Sequence, residues 1–286
     1  MMKRRDLIVY LTAKNCNPNG DMNNDNMPRQ DFESGYGLMS DVSNKRRVKS
    51  AVAQIYEVPM LVDPSLVSIE AKAKEAISDI DDAALAEMTP LDRDKAVKQS
   101  ICKKYWDART FGATVANLSK KDKSLSDGAI VGPVAFTWAE SLAPVTVDQP
   151  EVITRCNAAT DADLAKGKTH DVGTKWRLGF AQYAYEVHVS GARGETWTGF
   201  NDDDYAMLLE GIKKSWMLNQ TSSKTGMEVD AIVEFTHESV FGNASPSALR
   251  ECVRLDEVTS SDGKVKYVPR IDESMVPSGV TAKIYR

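Results

Sequence analysis

The order of its periodicities constrains this chain more than any other feature. Leu7–Thr12 alternates, with Leu7, Val9 and Leu11 on one face and Ile8 and Tyr10 on the other, which is the pattern of a strand. Asp41–Tyr56 switches to helical spacing. Val48, Ala51, Val52 and Ile55 fall on one stripe, and Ser40 or Asp41 is placed to cap it. Val134, Phe136 and Trp138 follow Gly132–Pro133 as a second strand, with Trp138 expected in the core. Tyr183, Tyr185, Val187 and Val189 make a third. The acid-rich Asn201–Asp204 suits a helix start, and Tyr205, Leu208, Leu209, Ile212 and Trp216 form the apolar stripe behind it. Val229, Ala231, Val233, Phe235 and His237 close the series as a fourth strand.

Strand, helix, strand, strand, helix, strand predicts an α+β fold. The expected form is a ferredoxin-like antiparallel sheet, β-α-β-β-α-β, with both helices on one face, the topology of the RNA-recognition motif. A single domain, 1–286, carries two additions. Two Ala-rich acidic helices, Ser68–Glu87 and Pro90–Tyr105, form a helical insertion over 60–105, the second opened by Thr89–Pro90. Residues 145–178 are polar and weakly periodic, which reads as a projecting, thumb-like arm. Asn15–Gly37, crowded with Asn, Asp, Gly and Pro, reads as a long ordered loop, and loops of this length are usually functional.

Composition excludes several classes. The 286 residues are 42% hydrophobic and 27% charged, an ordinary globular balance. No apolar run approaches the roughly 20 residues of a membrane helix, and the basic Met1–Arg5 is followed by too short an apolar stretch for a secretory signal, so the expected location is cytoplasmic. Cys16, Cys102, Cys156 and Cys252 make no close pair, and His170, His188 and His237 are scattered, so no metal or other cofactor is expected. His188 and His237 read as structural histidines within strands. No nucleophile–base pair or Gly-rich phosphate loop is visible.

The net charge is 36 − 41 = −5, yet residues 1–56 carry nine basic and six acidic side chains, or +3. Lys45, Arg46, Arg47 and Lys49 crowd the start of the first helix, where each cation opposes the helix dipole by roughly 0.3–1 kcal/mol. A bound polyanion reverses that cost. With the apolar stripe at the back, Arg46 points away from the core, and the other three flank it. Asp21, Asn23 and Asp25 have the alternation of a calcium loop, but Asn26 and Phe32 stand where such a loop needs Gly and Glu. Asx-turns are the simpler reading, and the loop's amides are suited to phosphate or bases. Of five tryptophans, Trp176, between Lys175 and Arg177, is the candidate for a surface role.

The stretch Asn17–Leu38, with Ser40-Asp41-Val42 and Lys45-Arg46-Arg47, resembles the opening signature of type I CRISPR backbone subunits, and most of all the type I-C (Dvulg) variety. The similarity continues through Asp107–Gly112, Gly132–Thr137 and Ile153–Arg155, with a weaker echo at Thr174–Gly179. The 60–105 region and the chain beyond Val240 depart from the pattern.

The resemblance implies an RRM-like, RAMP-type subunit without enzymatic activity. Copies would polymerise along a CRISPR RNA beside other Cascade subunits and present the guide to target DNA in antiviral defence. The implied RNA-binding residues are Asn17, Asn19 and Arg29 in the loop, Lys45, Arg46, Arg47 and Lys49 on the helix, then Arg109, Phe111, Arg155, Lys175 and Arg177. Sequence-independent binding needs cations on phosphates, and base pairing supplies specificity. The alternatives are a metal-dependent ribonuclease of the type III backbone kind, using Asp21 or Asp25, and a protein scaffold that binds no nucleic acid.

Overall fold

A computed structural model describes residues 2–78, 80–115, 129–155, 157–259 and 263–286. Along the chain come β1 (Arg5–Cys16), the short pair β2 (Gly20–Asp21) and β3 (Met27–Pro28), β4 (Tyr36–Met39) and helix α1 (Asp41–Tyr56). Helices α2 (Ile69–Ile77), α3 (Asp82–Glu87), α4 (Pro90–Lys104) and α5 (Trp106–Phe111) follow. Then come β5 (Gly112–Thr114), β6 (Ala129–Val131), β7 (Val134–Phe136), β8 (Ala139–Pro144), β9 (Glu151–Arg155), α6 (Asp161–Ala165), β10 (Asp171–Lys175) and β11 (Leu178–Val189). The chain ends with α7 (Asp202–Lys214), β12 (Met227–His237), α8 (Pro246–Glu251), β13 (Val253–Thr259), β14 (Val265–Ile271) and β15 (Val280–Tyr285).

Both faces of β1 are apolar, and β1 lies inside the large antiparallel sheet, ordered β15-β12-β1-β11-β8-β4 with β7 also paired to β11. Leu7 faces Val187, Val9 faces Tyr185 and Leu11 faces Tyr183 across the β1–β11 ladder. The Leu7, Val9 and Leu11 face packs on Val48 and Val52 of α1 and Leu208, Ile212 and Trp216 at α7. Full burial of each such aliphatic side chain contributes roughly 1.5–3 kcal/mol. Gly211 brings the helices together, since a Cβ there would lie 2.4 Å from Val52 Cγ2.

The opposite face, Ile8, Tyr10, Ala231, Val233 and Phe235, is covered by Leu249, Cys252 and Val280 from the C-terminal segment. Asp6 ties this layer together. His188 Nδ1 lies 2.6 Å from Asp6 Oδ1, and Arg4 Nε donates to Oδ2 at 2.8 Å. The Asn243 main-chain N–H donates to His237 Nδ1, which leaves His237 Nε2 to donate to Asp6 Oδ2 at 2.9 Å. Burial alone would raise the Asp6 pKa, but the His188 and Arg4 hydrogen bonds prevail and hold it well below the usual carboxylate range.

A separate small core forms around Leu61, Ala73, Ala76, Val97, Ile101, Cys102 and Tyr105, within and beside the 60–105 stretch. The helix expected over Ser68–Glu87 is two helices, α2 and α3, with Asp81 capping the second. Thr89 caps α4 as its sequence predicts. The weakly periodic 145–178 stretch holds a hairpin, β9–β10, and a short helix capped by Thr160. Its strands carry polar and apolar side chains without a buried face, so no period marks them.

Trp138 corrects another expectation: it is 51% exposed. Phe136 faces Val187 while Glu140 faces Ala184, so this side of the ladder carries one extra residue, a β-bulge. The Thr137 hydroxyl accepts the Glu186 N–H at 2.9 Å in place of a ladder carbonyl. The alternation therefore breaks after Phe136, and Trp138 turns outward.

Candidate nucleic-acid interface

The loop after β1 is organised by its own amides. Asn17 Nδ2 donates to the Asn26 carbonyl at 2.7 Å, and Asn19 Oδ1 accepts the Ser40 N–H at 2.8 Å. Ser40 in turn caps α1. Asn15, Asp25 and Asn26 take left-handed backbone conformations, with φ of 50°, 48° and 61°, which these side chains tolerate best after glycine. The Asp21 carboxylate accepts from Asn24 Nδ2 at 2.8 Å and from the Asn23 N–H, and lies 3.3 Å from Arg29. Hydrogen bonds from Asn24 and Asn23 lower its pKa. This is an Asx-turn closed by a guanidinium, and it commits Asp21 to the loop's own structure. Among the described residues no three His, Cys, Asp or Glu side chains converge as a metal site.

The four cations of α1 diverge. Arg46 is exposed and has no hydrogen-bond or ion-pair partner among the described residues. Lys45 folds back on Asp41 at 2.8 Å, an i, i+4 pair. Arg47 lies over the Trp216 ring, 4.1 Å from its centroid, and is linked to Asn219 through both main-chain carbonyls. Lys49 turns to Asp107 at 3.4 Å and the Val62 carbonyl. Arg46, expected to point away from the core, does so, while the three cations expected to flank it turn to partners of their own. Long aliphatic stems let the others reach partners around the helix. Burial and the neighbouring Arg46 charge push the Arg47 guanidinium down to about 10.

A second loop, 219–226, meets the first. The Asn17 N–H donates to the Ser223 carbonyl at 3.0 Å, and the Lys14 N–H donates to the Gly226 carbonyl at 2.9 Å. A Cβ on Gly226 would overlap the Lys14 carbonyl, so only glycine permits this approach. Lys224 Nζ donates to the carbonyls of Asn17 and Pro18. From β10, Lys175 Nζ donates to the Ser222 carbonyl at 3.2 Å. Trp176 beside it is half-buried, and its indole N–H is buried with no partner among the described residues.

Asn17, Arg47 and Lys175 are therefore brought together, with Asn219 and Lys224 added by the structure, and Arg46 lies next to Arg47 with its side chain turned outward. The polar Asn219–Gly226 run between a helix and a strand is the only sequence sign of those two. Arg109, Phe111 and Arg177 are committed to other partners. Arg109 makes a bidentate pair with Asp204 at 2.8 and 2.7 Å and donates to the Cys102 carbonyl. Phe111 packs edge-on between Trp106 and Phe136. Arg177 pairs with Asp148 and Glu151 at 3.3 and 2.9 Å. Arg155 sits in β9, and its side chain lies outside the described residues.

A profile of the family described as CRISPR-associated protein Cas7 matches residues 3–273, nearly the whole chain. The chain belongs to the Cas7 family. A CRISPR-associated protein Cas7 of Haloferax volcanii is 26% identical over 153 residues, 49% of this chain and 44% of that protein. The chain thus aligns with less than half of that relative's length. A solved structure described as a CRISPR RNA-guided surveillance complex, pre-nicking, contains a chain similar at 14% identity and a TM-score of 0.50, covering 87% of this chain and 85% of that one. That likeness shows a shared fold: a mixed α/β Cas7-type structure with a large antiparallel sheet. Among the described residues of this Cas7-family chain, no helix is long and apolar enough to cross a membrane.

Proposed function

We propose that the chain is a CRISPR RNA-binding backbone subunit of a type I surveillance complex, of the I-C variety that its opening signature resembles. Copies line up along the guide in the cytoplasm beside other Cascade subunits and leave its bases for target DNA. One observation carries the reading. Arg47, Lys175 and Lys224 gather around Asn17 and Arg46 stands beside Arg47, each with neutral partners or, among the described residues, none. Their charge is not cancelled locally, and uncancelled cations are what a phosphate backbone requires.

Family membership supports the reading. So does the order β12-β1-β11-β8 with α1 and α7 on one face, which fits the ferredoxin-like arrangement. We read 60–105 as the helical insertion and 145–178 as the arm that closes over the RNA. The test is to sequence nucleic acid that copurifies with the expressed chain. Guides of repeat–spacer character are expected, and protein free of RNA would reject the proposal.

The same reading assigns no nuclease activity. Asp21 is held by Asn23, Asn24 and Arg29 rather than presented to a scissile phosphate. Complementary RNA incubated with the assembled complex and magnesium or manganese is expected to stay intact. Cleavage that disappears in Asp21→Ala or Asp25→Ala would establish the ribonuclease alternative.

A further inference from the structure

Lys224 occupies an unusual place for a lysine. It is half-buried, and its Nζ donates to two main-chain carbonyls, Asn17 and Pro18, which join the loop after β1 to the loop before β12. An ammonium has three donors, so one remains for a further acceptor. The groups that face it are cationic or neutral. From α1 comes Arg47, with Arg46 acting on Arg47 in turn. From β1 comes the Cys16 thiol, which burial pushes up to about 11 and so keeps protonated at neutral pH. Lys14 on β1 contributes a main-chain N–H to Gly226, and its side chain is exposed. From β10, Lys175 is anchored on Ser222, two residues before Lys224. No carboxylate stands among the charges acting on Lys224.

We propose that Lys224 is the positioning residue of this surface and that binding of a phosphate backbone draws a proton onto it. The inference rests on the RNA-binding reading above. In the free protein, burial first and Arg47 second push the Lys224 ammonium down to about 8. Near that pH a good part of the population carries a neutral amine. A phosphate chain laid along Arg46 and Arg47 offsets the repulsion from Arg47 and supplies the missing negative charge, so the charged form becomes favoured. The protonated side chain grips both carbonyls and offers its third N–H outward. Loop geometry and charge at the site are thereby coupled, and RNA affinity falls as pH rises past 8.

The test is calorimetric titration of the full chain with a single-stranded ribo-oligonucleotide of mixed sequence near pH 8, in buffers of different ionisation enthalpy. The wild type is expected to take up a fraction of a proton per binding event, because part of the population is neutral when free and all of it is charged when bound. Lys224→Arg keeps the charge and is expected to bind without proton uptake. Lys224→Met is expected to bind more weakly, also without uptake. Should Lys224→Met fail to fold, Lys224→Arg and the wild type decide the matter. RNA binding without proton uptake in the wild type, or uptake unchanged in Lys224→Arg, overturns the inference and leaves the RNA-binding reading intact. Failure of the wild type to bind the oligonucleotide at any pH overturns both.

Discussion

The cations around Asn17 and those around Asp204 are held in opposite ways. Near Asn17, Arg47 rests on an indole ring, Lys175 and Lys224 on main-chain carbonyls, and Arg46 on nothing. Near Asp204, Arg109 forms a bidentate pair with Asp204, whose side chain is 3% exposed. Arg5 pairs with Asp202 at 2.7 Å, and Lys49 with Asp107 at 3.4 Å. The second cluster cancels its charge in place and acts as a clasp between elements. The first keeps its charge, and its carbonyls only fix where that charge sits. A chain of net charge −5 can therefore present a positive surface. What matters is the identity of each cation's partner, more than the number of cations.

Three substitutions sharpen or break this contrast, ordered by their expected effect on stability. Arg109→Ala strands a buried carboxylate and is expected to cost about 3–5 kcal/mol, read by chemical denaturation. Its RNA affinity, corrected for folded protein, should keep the wild-type salt dependence. A reduced slope would place phosphate on the Asp204 side as well. Arg47→Ala removes a partly desolvated cation from an indole face and is expected to cost about 1–2 kcal/mol. It should also flatten the log–log salt dependence of RNA binding by about 0.7. Arg46→Ala touches nothing in the fold, so its stability should stay within about 0.5 kcal/mol of wild type. It should still flatten the salt slope by about 0.7, equally for unrelated RNA sequences. An Arg46→Ala protein with an unchanged slope would move the clamp away from α1.

The elements legible in the sequence are those whose burial is one-sided and regular. Val48, Ala51 and Val52 define the buried face of α1, and Ser40 caps it, because helical spacing and cap chemistry are local properties. Leu208 and Ile212 do the same for α7, where Asn201 and Asp204 complete a capping box. The C-terminal cover was not legible. Val253–Thr259 is almost wholly exposed along its length, so it shows no alternation. Trp138 escapes sequence reasoning because a bulge is a property of the ladder and leaves no mark in the strand's own residues. The site divides along the same line. Lys45–Asp41 is an i, i+4 pair that spacing reveals, while the Lys49–Asp107 and Lys224–Asn17 contacts join segments far apart in the chain. Arg46, whose side chain goes nowhere, is the cation that helical geometry alone locates.

The second covered face of the sheet has a consequence of its own. An RNA-recognition motif reads bases by stacking them on aromatic rings along an open sheet. Here the sheet face around Ile8, Tyr10, Val233 and Phe235 is roofed by Leu249, Cys252 and Val280. Tyr10 lies beneath that roof, its phenol pushed up to about 12 first by burial and then by Glu186. That face therefore offers no open aromatic surface on which bases could stack. The proposed RNA site accordingly lies in the loops beyond the end of the sheet, where charge and main chain are offered rather than ring faces. On the RNA-binding reading proposed above, a subunit built this way would hold a strand by its backbone, and base pairing would supply the sequence recognition.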